Sequence, residues 1–262
     1  MKDDLAGIGI VVTRPAGQSD KLFRLIQDAG GEPILVPGLE IQPLDLASLE
    51  PMIKRLARVD LLIFISPNAV RMSMPHILQR GALAAQTKIA AVGPATSAEL
   101  RKYGMKEIIS SQKGSDSEAL LEELSALPLD GSHVVIVRGQ GGRALLGETL
   151  HSRGAIVEYL ECYRRVKPHN DMVKLRSNLD GPAVNACLAT SPMIVQNLFE
   201  MAGTEVEAWL RRVPFFVSHP RVATTAFSRG VQIVFMAGNG DAALVEGLRI
   251  WFTRRRPLHA PA

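Results

Sequence analysis

Short apolar runs rich in valine and isoleucine alternate along this chain with longer stretches in which apolar residues recur at helical spacing. The runs near 8–13, 33–36, 60–65, 88–92 and 107–109 read as strands. So do those near 132–137, 155–160, 184–189, 214–217 and 232–235. Strand–helix alternation implies parallel sheets covered on both faces. The expected fold is therefore α/β, with two flavodoxin-like domains. Glycines close several of the intervening helices, as at Ala29-Gly30-Gly31 and Arg153-Gly154. Ser115 or Asp116 is placed to cap a helix near 117–126.

The two sets of strands are copies of one plan. Ile10-Val11-Val12-Thr13-Arg14 recurs 124 positions later as Val134-Val135-Ile136-Val137-Arg138, with a glycine 16 residues after each arginine. Ile63-Phe64-Ile65-Ser66-Pro67 recurs as Leu188-Ala189-Thr190-Ser191-Pro192, and Val92-Gly93-Pro94 falls in register with Val217-Ser218-His219-Pro220. Repeated landmarks in one order point to duplication of a single unit. After the second strand of each half comes a connector, 37–43 and 161–168, closed by proline and poor in helix signal. Connectors at equivalent places allow the first strand pair of each half to join the last three strands of the other. Spacing equally allows two contiguous domains.

Composition narrows the partners. The chain has 262 residues, 47% of them hydrophobic, enough for a core in each half. The formal net charge is +4 and the pI about 9.2. Aromatics make up only 5% and do not interleave with a Lys/Arg stripe, so nucleic acid is not the expected partner. The basic excess suits an acidic small molecule instead. The run Arg254–Arg256 reads as a solvated tail. Cys162 and Cys187 have neither metal spacing nor a disulfide framework, which suits a reducing compartment. Met1-Lys2-Asp3-Asp4 leads into an apolar strand without a signal-peptide layout, and no apolar run approaches the roughly 18 residues of a membrane span. A cytoplasmic protein that spans no membrane is expected.

Ligands of open parallel sheets sit outside the carboxyl ends of the strands. The residues there are Thr13-Arg14, Ser66-Pro67-Asn68, Gly93-Pro94-Ala95-Thr96, Arg138 with Gly139 to Gly142, Ser191-Pro192-Met193 and Ser218-His219-Pro220-Arg221. Each group precedes a helix start, whose free N–H groups and positive dipole end favour carboxylates or phosphates. Arg14 and Arg138 would add bidentate carboxylate clamps. Ser-Pro and Gly-Pro are also good helix starts for purely structural reasons. Gly139-Gln140-Gly141-Gly142-Arg143-Ala144 fits a weak dinucleotide fingerprint, but the matching loop in the first half, Arg14-Pro15-Ala16-Gly17, does not. The six histidines show no ligand spacing, and no nucleophile elbow is present. A cofactor-free enzyme would then work by positioning and polarisation.

Val12-Thr13-Arg14-Pro15, Ile65-Ser66-Pro67-Asn68-Ala69-Val70, Ala91-Val92-Gly93-Pro94-Ala95-Thr96, Glu161-Cys162-Tyr163-Arg164-Arg165 and Val217-Ser218-His219-Pro220-Arg221 together resemble the uroporphyrinogen-III synthase family, over roughly 8–252. The resemblance implies the discontinuous arrangement: one domain from 1–38 and 168–262, the other from 43–160, and a two-stranded bridge of the connectors beside an interdomain cleft. It implies no cofactor or metal. The substrate would be hydroxymethylbilane, a linear tetrapyrrole rich in carboxylates. Loss of its terminal hydroxyl gives an azafulvene cation, and attack by the far ring gives a spiro intermediate that recloses with the last ring inverted. Tyr163 matches a family tyrosine that could hydrogen-bond the leaving hydroxyl, and it is the catalytic candidate. Ser66, Thr96 and Ser191 match family residues and are expected substrate contacts, with Asn68, Gly139, Met193 and His219 beside them. Where the family usually carries threonines after the last turn, this chain has Arg221 and Val222, so Arg221 would act as a carboxylate clamp. A monomer is expected, with transient contact to the preceding pathway enzyme left open. Two other readings stay open, a two-lobed binding or sensor protein for small anions and a nucleotide-binding enzyme using the Gly139–Gly142 loop.

Overall fold

The chain forms two compact units, one from Met1–Glu40 with Val166–Ala262 and the other from Ile41–Arg165. The structure, a computed structural model, describes residues 4–111, 114, 116–169, 172 and 184–255. Ser115 and the tail from Arg256 onward lie outside these residues.

The first unit holds a five-stranded sheet in the order β10-β9-β8-β1-β2. These strands are β1 (Gly9–Val12), β2 (Glu32–Leu35), β8 (Val184–Ala189), β9 (Phe215–Val217) and β10 (Val234–Met236). Every neighbouring pair is parallel. The second unit's sheet runs β3-β7-β6-β4-β5. Its strands are β3 (Glu40–Pro43), β4 (Leu61–Phe64), β5 (Lys88–Ala91), β6 (His133–Gly139) and β7 (Ile156–Val166). The β4–β5, β4–β6 and β6–β7 pairs are parallel. Both units are therefore mixed α/β with parallel sheets, as the alternating pattern predicts.

Each sheet combines the first two strands of one repeat with later strands of the other. Numbered within a repeat, the first unit reads 2-1-3-4-5, the doubly wound order, and β7-β6-β4-β5 reads 2-1-3-4. The run at 107–109 contributes only a bridge between Ala90 and Ile109. The connectors are more regular than their lack of helix signal suggests. Residues 40–43 form β3, and β7 continues unbroken through the second connector to Val166. The Leu44 N–H donates to the Cys162 carbonyl at 3.1 Å, and Arg164 donates to Gln42 Oε1 at 3.2 Å, which ties the two segments together.

Strand alternation sorts the second core by face. Leu62 and Phe64 join one buried cluster with Ile53, Val70, Met74 and Val137, while Leu61 and Ile63 join another with Leu120, Leu124 and Leu150. The helices there are α2 (Leu46–Arg55), α3 (Pro67–Gln79), α4 (Pro94–Lys102), α5 (Ser117–Glu123) and α6 (Leu145–Ser152). In the first unit α1 (Asp20–Asp28), α7 (Pro192–Met201), α8 (Thr204–Arg212), α9 (Pro220–Ser228) and α10 (Asp241–Arg255) cover the sheet. Asp116 caps α5 by accepting from Ala119 N at 2.9 Å. α10 reaches Arg255, so the basic run begins inside a helix.

α3 and α4 are pinned by one buried carboxylate. Glu99 accepts from Arg71 Nε at 3.0 Å and from Lys102 Nζ at 2.8 Å. Burial pushes its carboxyl up, but the hydrogen bonds and charges of Arg71 and Lys102 together hold it below the ordinary 4.5. A depressed folded-state pKa gives stability that is present above the unfolded value and is lost as pH falls through the folded one. Melting temperature should therefore drop below about pH 4.5, and Glu99→Gln should flatten that drop. An identical acid profile in the variant would show that Glu99 does not contribute. Arg71→Ala at neutral pH should cost about 1–2 kcal/mol, a modest figure because the Arg71 side chain is partly exposed.

Candidate active site

The sheet order places one switch point in each unit, between β4 and β6 and between β1 and β8. At the first, Ser66 follows β4 in extended backbone and opens α3, with Pro67 at the first helical position. Its Oγ accepts from Ala69 N at 3.2 Å. Tyr163, opposite Gly139 across the β6–β7 ladder, brings its hydroxyl 3.1 Å from Ser66 Oγ. Arg165 donates to the same hydroxyl at 3.3 Å, with its guanidinium over the ring. Four residues from three sequence motifs thus meet at one strand edge.

Tyr163 is fully buried, among the largest such side chains in the chain. Tyr163, the residue expected to hydrogen-bond the leaving hydroxyl, here holds its own hydroxyl against Ser66 and Arg165. The ring lies so close to the backbone that a Cβ on Gly139 would come 2.6 Å from its Cζ. Gly139 therefore serves as the floor on which Tyr163 rests.

Arg138 also departs from its expected role as a clamp. It is buried, and its guanidinium turns back into the following loop, donating to the carbonyls of Gly139 at 3.2 Å and of Gly141. It lies 5.1 Å from the centre of the Tyr159 ring. Gly142 sits at φ 106°, and a Cβ there would be 2.7 Å from an Arg138 nitrogen. Gly142 accommodates this arginine and Gly139 accommodates Tyr163, so both glycines have a packing role that needs no phosphate. Beside the loop is a cavity of about 330 Å³ within the second unit, lined in part by Ile65, Val92, Arg138, Arg143, Arg165 and Ser117. Sequence alone does not single out Arg143 or Arg165 as site residues. Arg165 stands two residues from Tyr163 on the same strand face, and that period of two is the available signal.

The remaining candidates of this unit differ in access. Asn68 is half-buried on the first turn of α3. Thr96 is buried on the first turn of α4 and is not presented at the surface.

In the first unit Ser191 repeats the geometry of Ser66. Its backbone is extended and its Oγ accepts from Ile194 N at 3.2 Å. Met193 is exposed on the same turn. His219 caps α9 through Nδ1, which accepts from Arg221 N at 3.2 Å. Both His219 and the Arg221 side chain are exposed. Among the described residues, the Arg221 guanidinium makes no hydrogen bond or ion pair. Ser218 Oγ donates to Thr190 O at 3.5 Å, linking adjacent strand ends. Arg14, the other expected clamp, is ion-paired with Asp241 at the start of α10. Sequence does not indicate that partner, 227 residues away.

Among the described residues no cluster of His, Cys, Asp and Glu could hold a metal ion, and no helix is long and apolar enough to cross a membrane. Burial raises both cysteine thiols, that of Cys162 to about 12, so neither is a nucleophile at neutral pH.

Fold and strand-end chemistry together define a two-unit α/β protein whose polar and cationic groups gather at the carboxyl edges of parallel sheets. The family model described as uroporphyrinogen-III synthase HemD matches residues 20–245, and the chain belongs to that family. Uroporphyrinogen-III synthase of Escherichia coli K12 is 29% identical over 237 residues, 89% of this chain and 96% of the relative. Two solved structures share the fold. A mutant uroporphyrinogen III synthase of the extreme thermophile Thermus thermophilus is 19% identical with a TM-score of 0.61, over 95% of this chain and all of the other (100%). A uroporphyrinogen-III synthetase of Helicobacter pylori 26695 is 15% identical with a TM-score of 0.61, over 95% of this chain and 99% of the other.

Proposed function

We propose that this chain converts hydroxymethylbilane to uroporphyrinogen III, as a lyase that closes the linear tetrapyrrole with inversion of its terminal ring. Membership of the family supports the reading. The structural observation that carries it is the gathering of Arg143, Arg165 and Ser117 around one cavity at the carboxyl edge of the second sheet. Such a group offers hydrogen-bond donors and positive charge to an anionic, oxygen-rich ligand without a metal or redox partner.

The chemistry asks little of a protein acid. The electron pair of the pyrrole nitrogen expels the terminal hydroxyl, the carbon–oxygen bond breaks, and the cation formed is delocalised. What must be supplied is a donor for the departing oxygen, cationic anchors for the carboxylates, and a shape that favours the inverting closure. In the second unit Arg143, which also pairs with Glu118 at 3.5 Å, is the anchor, while the Arg165 guanidinium is turned to the Tyr163 hydroxyl. In the first, Arg221 takes that role at the turn where the family usually carries threonines, with Ser191, Met193 and His219 beside it. Arg14 and Arg138 act indirectly, Arg138 by shaping its loop and Arg14 by holding the start of α10.

A coupled assay tests this reading. Hydroxymethylbilane is generated in situ, the purified protein is added, and the oxidised porphyrin isomers are separated. Type III product well above the uncatalysed background is expected. Type I product alone, from folded protein, would overturn it.

A further inference from the structure

We infer that the hydroxyl of Ser66 is the group presented to the substrate, and that Tyr163 and Arg165 are positioning residues that aim its hydrogen. This rests on the proposed reaction and assigns roles within the same site.

The direction of the hydrogen bonds follows from counting donors. A guanidinium can only donate, so the Tyr163 oxygen accepts from Arg165 at 3.3 Å. The phenolic hydrogen then needs an acceptor, because Tyr163 is fully buried and an unpaired buried O–H is strongly disfavoured. Among the described residues its other hydrogen-bond partner is Ser66 Oγ, at 3.1 Å. Tyr163 therefore donates to Ser66. The Ala69 N–H donates to the same Oγ at 3.2 Å. Both acceptor positions of Ser66 are then occupied, and its own hydrogen is left to point away from them.

Ser66 is half-buried at the carboxyl end of β4, next to the cavity that Ile65 and Arg165 line. The chain Arg165 to Tyr163 to Ser66 starts at a positive charge, and each donor polarises the next. The result is a single oriented donor at the strand edge, suited to a substrate oxygen. Tyr163 stays behind it, fixed by packing against Gly139. The equivalent Ser191 has its cap bond to Ile194 N but no such chain among the described residues, which makes the two serines unlike in chemistry though alike in backbone.

A double-mutant cycle on the full-length protein, read as kcat/KM for type III product, decides the matter. Ser66→Ala should lower kcat/KM about 10-fold or more, and Ser66→Thr should restore most of it. Tyr163→Phe should lower it about fivefold, and the pair together should fall no more than about twofold below Ser66→Ala alone, because Tyr163 acts only through Ser66. Losses that multiply would overturn the inference, as would full activity in Ser66→Ala or in Tyr163→Phe. Should Tyr163→Phe fail to fold, Arg165→Met at an exposed position runs the same cycle. A fall in kcat would place the contacted oxygen on the leaving hydroxyl, whereas a rise in KM would place it on a carboxylate. If the wild-type protein makes no type III product, the proposed function itself fails and the inference falls with it. If it does and the losses multiply, only the assignment to Ser66 fails.

Discussion

Replacing Gly139 with alanine is expected to lower both stability and turnover, although the change adds one methyl group. That methyl would sit 2.6 Å from Tyr163 Cζ and nearer still to Cε2. Tyr163 cannot yield easily, because it is buried in a core shared with Phe64, Val137 and Leu160. Overpacking of this kind costs typically about 1–3 kcal/mol. The chemical consequence should be larger than the thermal one. If the ring tilts, its hydroxyl leaves Ser66, and we expect kcat/KM to fall about tenfold, the scale of a lost oriented donor. Gly17→Ala is the matched control, since a Cβ there meets nothing within 4 Å. If Gly139→Ala melts and turns over like Gly17→Ala, the close approach of Tyr163 to the backbone has no consequence.

The largest loss of stability is expected from Phe216→Ala. Phe216 is fully buried in β9, with ring centres of Phe235, Trp251 and Phe252 at 5.5, 6.0 and 6.3 Å. Truncation of a core phenylalanine costs about 3–5 kcal/mol, because the cavity closes only in part. That is a large share of the roughly 5–15 kcal/mol that holds a typical domain. The loss should fall on the first unit, where this cluster lies. Calorimetry should therefore resolve an early transition that leaves the second unit's unfolding unchanged. A single transition shifted as a whole would show instead that the two units unfold together.

Much of the fold can be read from the chain because its signals are local. The Val/Ile runs bracket β1, β4, β6 and β8 within a residue or two at most ends, and Ser-Pro and His-Pro announce three helix starts that the structure contains. The run at 107–109 reads as a strand yet makes only a bridge, since a short apolar run cannot by itself show whether a neighbour will pair with it. The site is less legible. Ser66 and Tyr163 can be nominated separately, yet nothing in their spacing shows that they touch across 97 residues. Arginines at strand ends suggest clamps, but whether such a side chain reaches outward or folds back depends on carbonyls and carboxylates brought in by other segments. Asp241 decides this for Arg14, and the Gly139–Gly141 carbonyls decide it for Arg138.

The exchange of strands between repeats has a consequence for how the protein is made. The second unit is continuous in sequence, and all its strands exist once residue 166 has been added. The first unit opens the chain, but its central strand β8 ends only at Ala189 and β10 at Met236. During vectorial synthesis β1 and β2 must wait as an unpartnered parallel pair while the later-encoded unit matures. The part begun first is thus finished last, and its apolar β1, Gly9–Val12, is the stretch a nascent chain has most need to shield.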